Sequence, residues 1–454
     1  MLHRISLFYT WLVSRLLFPL HEALKKHHSV AVRQRLEQSQ WLSTEQLTEL
    51  QQQRLQQFMQ QIASQVPYYR RLFAEKGWAP DHIKSVQDLS LLPFLTKSVI
   101  RAEFDQLKAD NAAPLQRFNT GGSSGQPLTF LLGKSRVSHD VAAKWRATRW
   151  WNVDIGDKEI VAWGSPIELN KQDRVKLWRD KLFRSTLIPA FDLTEARLLQ
   201  FIDQIKHQQP RMLFGYPSVF HVIAQTAKQH QIDMTNCGIA VIFVTSERLY
   251  PYQRELIEQV FNAPVANGYG GRDAGFIAHQ CPHGAMHISA EDIIVEIVDT
   301  EGNPVADGVQ GEIVVTHLAT ADFPFVRYRT GDIAAISHKA CACGRGLPQL
   351  INLEGRSTDF VVASNGTMMH GLALIYVIRE LHGIKNFKII QHSKTQLEVQ
   401  LVLEEHHEFT EASSIVSGMQ ARLGSDVTVD ICFLPLIAAE ASGKYRYVIS
   451  KVTG

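Results

Sequence analysis

From about residue 140 to 280 this chain alternates helical stretches with short apolar runs, and few folds accept that order. The clearest run is "GIAVIFVTSERL", which reads as a buried strand from Ile239 to Val244 entering a polar turn at Thr245, Ser246 and Glu247. Strands separated by helices build an open α/β sheet, where ligands sit beyond the carboxyl ends of the strands. Residues 292 to 317 change character and alternate apolar and polar residues around Gly and Asp turns, as antiparallel hairpins do. After "EGRSTDF" the chain restarts as a compact module. Helices are expected near 372 to 382 and 409 to 423, with strands near 386 to 391 and 396 to 403. A last alternating strand carries Val427, Val429, Ile431 and Phe433. The expected fold class is α/β: a large multi-sheet N-terminal domain (1–355) with a β-hairpin section, then a small α+β C-terminal domain (356–454). The 454 residues, 45% hydrophobic, suffice for two such cores.

The helical segment 1–66 opens with "MLHRISLFYTWLVSRLLFPLHEAL", whose apolar run is short and interrupted by Arg15. It lacks a small-x-small cleavage site, so a helix packed on the body, or resting on a membrane surface, is expected rather than a signal or a span. Ser43 and Gln46 form a capping box for a helix that presents Leu55, Phe58, Met59, Ile62 and Val66 at helical spacing and ends at Pro67. A net charge of +2 argues against a nucleic-acid partner. A cytoplasmic protein, peripherally membrane-associated if at all, is expected; five unevenly spaced cysteines make no disulfide framework.

Five motifs carry the chemistry. In "QRFNTGGSSGQPLTF", Thr120, Gly121, Gly122, Ser123, Ser124 and Gly125 could point backbone N–H groups and hydroxyls at one anion, or simply form a surface loop. No Gly-Lys-Ser/Thr follows, so it is not a Walker loop. In "VANGYGGRDAGFIA", Tyr269 and Gly270 could meet a nucleobase and Asp273 a magnesium ion. "FPFVRYRTGDIA" sets Arg327, Arg329 and Asp332 around a Thr-Gly turn, where Asp332 could accept ribose hydroxyls or cap the turn. "EGRSTDF" holds Arg356 and Asp359, and "ASGKYRYVIS" puts Lys444 after a glycine.

In this order and spacing the five motifs resemble the adenylate-forming enzymes, in the phenylacetate–coenzyme A ligase family. The likeness is to the branch with coenzyme F390 synthetase-like and capsule-biosynthesis proteins, and it extends to "VPYYRRLF", "LLPFLTKSVIR" and "LFGYPSVF". The resemblance implies ATP and Mg²⁺, with the loop Thr120 to Gly125 on the phosphates, Tyr269 on adenine and Asp332 on ribose. It further implies Arg356 beside that carboxylate, Asp359 as the hinge of a mobile small domain and Lys444 as the catalytic lysine. Two departures stand out: the loop lacks its usual lysine, and Asp273 replaces a glutamate. Trp163 and Tyr216 are the candidates, by resemblance, for lining an acid pocket.

Cysteine spacing adds a metal reading. "CPHGAMH" supplies Cys281, His283 and His287, and "CACGR" supplies Cys341 and Cys343, which suits a closed structural zinc site with either histidine as the last ligand. The implied function is ATP-dependent activation of a carboxylic acid as its acyl-adenylate, then transfer to coenzyme A. The alternatives are transfer to an amine in surface-polysaccharide biosynthesis, nucleotidyl transfer to a cofactor, or a catalytically retired nucleotide-binding protein. No basic cluster marks a site for the nucleotide end of coenzyme A.

Overall fold

The computed structural model describes residues 2–119, 128–163, 174–190, 193–354, 360–366, 368–379, 381–404, 409–437 and 447–452. Strands β1 (Gln116–Asn119) and β2 (Thr129–Leu132) form an antiparallel ribbon. A mixed sheet of eleven strands follows. It comprises β3 (Glu159–Trp163), β4 (Ser185–Pro189), β5 (Met212–Gly215), β6 (Val241–Thr245), β7 (Val265–Gly271) and β8 (Gly275–Gln280). The rest are β9 (Met286–Ile288), β10 (Ile293–Val298), β11 (Gly311–His317), β12 (Tyr328–Ser337) and β13 (Gln349–Glu354). Their spatial order is β10-β11-β12-β13-β9-β8-β7-β6-β5-β3-β4.

Strands β3 to β7 pair with one another in parallel, and their apolar runs show why. Every residue of β5 and β6 is buried, so both faces need apolar side chains. The period of two divides them: Met212, Phe214, Val241 and Phe243 join one core, while Leu213, Ile242 and Val244 join the other. The first core is completed by Leu55, Phe58, Met59 and Ile62 of helix Thr44–Gln65 and by the hairpin strands. The second is completed by helices Glu195–Gln208, Pro217–Gln229 and Pro251–Phe261. The last two open with Tyr-Pro, the proline supplying a first helical residue that needs no N–H partner. Each fully buried Phe, Ile or Leu here contributes roughly 1.5–3 kcal/mol.

Some sequence expectations shift. The "GIAVIFVT" strand pairs from Val241 to Thr245, two residues later at its start and one at its end. The Ser43/Gln46 capping box is present, but Pro67 opens a second helix, Pro67–Lys76, rather than merely closing the first. The hairpin section is not a separate sheet: β10 to β13 continue the same one through β9.

The C-terminal segment holds β14 (Phe360–Val362), β15 (Met368–His370), β16 (Ile384–Ser393), β17 (Gln396–Leu403), β18 (Thr428–Phe433) and β19 (Val448–Ser450). The last four form a sheet ordered β18-β17-β16-β19. Helices Leu372–Arg379 and Ala412–Leu423 bury Leu374, Ile375, Ile415 and Met419 against Phe387, Ile389, Val399 and Leu401, a core separate from the two above.

Candidate active site and a Cys–His cluster

Beyond the carboxyl ends of β3 and β5, Trp163 and Tyr216 stack with ring centroids 4.7 Å apart at 26°. At the end of β6, Ser246 has φ 70°, a left-handed conformation that costs a non-glycine residue roughly 1–3 kcal/mol and tends to occur at functional sites. These positions lie where an open parallel sheet binds its ligands.

Tyr269 and Asp332 come from strands that are not neighbours in the sheet, yet the Tyr269 hydroxyl donates to Asp332 Oδ2 at 2.9 Å. The same two segments meet again where the Tyr328 hydroxyl donates to Asp273 Oδ2 at 2.7 Å. Each motif thus gives a tyrosine to the other's aspartate, and the two turns are clamped reciprocally. Asp273 also accepts the Ala274 N–H at 3.0 Å, which leaves lone pairs on both oxygens for a cation.

The turn from β7 into β8 is too tight for side chains. A Cβ on Gly270 would lie 2.1 Å from the Gly275 carbonyl oxygen, and Gly275 has φ +90°. Arg136, almost fully buried in helix Lys134–Arg149, holds this turn from beneath, donating to the carbonyls of Arg272 and Asp273, each at 3.1 Å. Its Nε–H meets both oxygens of Asp140 at 3.0 Å. That contact also engages the carboxylate of a second potential metal group, His139, Asp140 and His317. Burial lowers His279, opposite Gly268 on β8, to about 3, so its ring is neutral at physiological pH.

Of the other residues in the motifs, Arg327 is structural: it is buried and ion-paired with Glu296 at 3.1 Å. Arg329 pairs with Glu312, whose other oxygen accepts the Gly331 N–H at 3.1 Å and shapes the turn before Asp332. Thr120, Gly121, Gly122, Ser123, Ser124 and Gly125 lie outside the described residues, as do Arg356, Asp359 and Lys444. The flanks of the Gly/Ser stretch are described: Asn119 pairs with Thr129 across the β1–β2 ribbon. Arg136 and Tyr328 were not legible as site residues, because a lone Arg on a helix and a strand Tyr carry no motif.

Sixty residues apart in sequence, Cys281 and Cys341 place their Sγ atoms 3.8 Å apart, and His287 Nε2 lies 3.2 Å from Cys343 Sγ. All four ligand atoms lie within 4.8 Å of one another. Tetrahedral zinc–sulfur bonds of about 2.3 Å would place two sulfurs about 3.8 Å apart. The choice between the two histidines falls to His287: it lies on β9, whereas His283 sits in the turn before that strand and is not in the cluster. His287 Nδ1 faces the Leu347 carbonyl at 3.1 Å, which as a donor would leave Nε2 as the free lone pair facing the sulfurs. Burial, with the neighbouring sulfurs adding to it, pushes the Cys281 thiol up to about 11. A cation would relieve that cost.

Comparison with known proteins joins these features to a family. The AMP-binding enzyme model matches residues 183–321, and the CapK C-terminal domain model matches residues 361–451. Protein CapK of Staphylococcus aureus is 24% identical over 413 residues, covering 89% of this chain and 90% of that protein. The phenylacetate-coenzyme A ligase of Thermus thermophilus is 23% identical over 330 residues, 71% of this chain and 73% of the ligase. In fold, the chain is similar to a 2-hydroxyisobutyryl-CoA ligase solved with 2-HIB-AMP and CoA, with TM-score 0.65 and 21% identity over 90% of this chain and 91% of that one. On these likenesses the chain is similar to the AMP-binding enzymes over residues 183–321 and, over most of its length, to both CapK and the phenylacetate-coenzyme A ligases.

Proposed function

We propose that this protein activates a carboxylic acid with ATP, releasing pyrophosphate, and passes the acyl group to coenzyme A. The observation that carries the reading is the reciprocal Tyr269–Asp332 and Tyr328–Asp273 clamp. It sets an aromatic face, a ribose-competent carboxylate and a second carboxylate at one point beyond the parallel strands.

In this reading adenine stacks on Tyr269, Asp332 accepts the ribose hydroxyls, and the Thr120 to Gly125 loop donates to the β- and γ-phosphates. Arg356 sits beside the ribose. Asp273 would hold a magnesium ion, which when bound supplies positive charge to the phosphate oxygens. The acid lies against Trp163 and Tyr216, whose stacked rings suit an apolar or aryl group. A carboxylate oxygen attacks the α-phosphorus and pyrophosphate leaves. Lys444 balances the charge gathering on the carboxylate and α-phosphate oxygens. Residues 356–454 then turn about Asp359 and withdraw Lys444, so that a thiolate can attack the acyl carbonyl and expel AMP. Cys281, His287, Cys341 and Cys343 would hold a zinc ion as a closed structural site that takes no part in these steps.

An amine acceptor is the second reading. It rests on the resemblance to capsule-biosynthesis proteins, to which the match of residues 361–451, the segment carrying Lys444, to the CapK C-terminal model adds a likeness in the small domain.

The test is pyrophosphate release from Mg-ATP over aryl, fatty, amino and uronic acids, with coenzyme A, simple amines or hydroxylamine as acceptor. Release with one acid class and thioester formation supports the first reading, and amide formation without thioester the second. Bound ATP with no release, and no exchange of labelled pyrophosphate into ATP for any acid, would mark a retired site. Within this reading, Tyr269→Ala is expected to weaken ATP binding by about 1–3 kcal/mol, the worth of a base–aromatic stack. Tyr269→Phe should keep the stack while losing the hydroxyl tie to Asp332. Equal affinities for wild type and Tyr269→Ala by titration calorimetry would remove adenine from this tyrosine.

A further inference from the structure

The first two helices bury polar side chains beside Val13 and Phe18 and leave most of their large apolar ones exposed. Helix Leu2–Leu12 runs through a wide turn, Val13–Leu17, into helix Phe18–Leu24. Thr10, Ser14 and Glu22 face the body and are buried, while Leu7, Phe8, Trp11, Leu16, Leu20 and Leu24 are 52% to 77% exposed. A surface helix of a soluble protein ordinarily does the reverse. The inverted seating is specific. Thr10 Oγ1 donates to Asp157 at 2.9 Å, and Gly156 must be glycine because its Cβ would lie 2.6 Å from Val13. Glu22 is satisfied by Ser29 and His27.

Helix Arg174–Leu182 enlarges the apolar face. Its Leu177, Trp178 and Leu182 are exposed, and the Tyr9 hydroxyl ties it to the first helix by donating to the Leu182 carbonyl at 2.9 Å. The Arg184 guanidinium also lies 4.0 Å from the Tyr9 ring centroid. Basic residues outnumber acids in the segments that form this face, although the whole chain is only +2. Residues 1–28 hold four Lys/Arg against one acid, the buried Glu22, and residues 174–184 hold five against one. Among the described residues no helix is long and apolar enough to cross a membrane.

We propose that this face docks the protein on an anionic membrane surface, with Phe8, Trp11 and Trp178 entering the headgroup boundary while Arg15, Lys25, Lys26 and Lys181 meet the lipid charge. Leucine and aromatic side chains ringed by basic residues are the signature of an interfacial helix. A protein partner of opposite sign would also meet the basic residues, but it would not bind vesicles.

Flotation of the full chain with vesicles tests this, using phosphatidylcholine alone or with about one-third phosphatidylglycerol. Binding to the anionic vesicles should exceed binding to the neutral ones by about tenfold or more. The triple substitution Phe8→Ser, Trp11→Ser and Trp178→Ser should abolish it with Tm and pyrophosphate release unchanged. Each of Lys25→Glu, Lys26→Glu and Lys181→Glu should lower it at least about fivefold. Absence of vesicle binding overturns the proposal. So does self-association in sedimentation that the triple variant abolishes, which would assign the face to a second copy of the chain. Vesicle binding does not depend on turnover, so the proposal stands or falls apart from the ligase reading.

Discussion

Lys444→Ala is expected to lower acid-dependent pyrophosphate release by about a hundredfold or more, with ATP affinity nearly unchanged. The size follows from the role: removing one preorganised donor from the charge that develops in a transition state costs about 10²–10³ in rate. ATP binding should survive because the proposed function assigns adenine and ribose to Tyr269 and Asp332 instead. The described residues that flank Lys444 in sequence are anchored in the small domain. Ile437 before it and Tyr447 after it are buried, and the Tyr447 ring packs 4.7 Å from Phe387. Val448 then pairs with Ile389 as β19 joins β16. Lys451, seven residues on and exposed, faces His392 at 3.2 Å and serves as the control. Single-turnover release at saturating acid separates the two lysines. Normal release by the Lys444→Ala protein would remove this residue from the chemistry, whatever the acid.

The second large effect concerns metal. Protein purified without added zinc should carry about one equivalent, and Cys343→Ser or exhaustive chelation should lower stability by at least about 3 kcal/mol. That is well under the 10–16 kcal/mol of isolated zinc-finger peptides, because here the surrounding sheet brings the ligands together without help. The cluster stands where the sheet is thinnest: β13 meets β9 through a single ladder pair, Gln349 with His287. The Ile288 N–H to Pro348 carbonyl bond, at 2.9 Å, adds one more tie. A metal joining Cys281 and His287 to Cys341 and Cys343 would staple that seam. His283→Ala is expected to keep its zinc, because His283 is not in the cluster. Metal content by mass spectrometry and Tm decide the matter. Zinc-free protein with unchanged Tm in Cys343→Ser would reduce the cluster to packed thiols.

Local patterns were legible wherever one element bears its own signal. The β6 strand was readable because a strand buried on both faces must be continuously apolar, and its start slipped because Ile239 and Ala240 extend that run ahead of the ladder, where the Ala240 N–H already donates to the Arg211 carbonyl. Pro67 follows the end of the first helix as expected, but the pattern did not show that it also opens the next, since proline suits the first turn of a new helix as well as the end of an old one. At the metal cluster the residue types and spacing were visible, but the choice of histidine was not. It depends on where the chain leaves the turn at Gly284 and enters β9.

By itself the sequence determined the alternation of helices and apolar strands, the Ser43/Gln46 helix start, and the residue types on which the expectation of an ATP site rests. Each of these follows from neighbours within a few positions, where propensity, period and capping act. The tertiary structure decided the pairings. Tyr269 meets Asp332 across 63 residues, and Tyr328 meets Asp273 across 55. Arg136 reaches the carbonyl of Asp273 from 137 residues away. The outward face of the first helices was decided there too, because the pattern of apolar residues says that a helix has two faces. Which face is buried depends on what lies opposite, here Asp157 and Gly156.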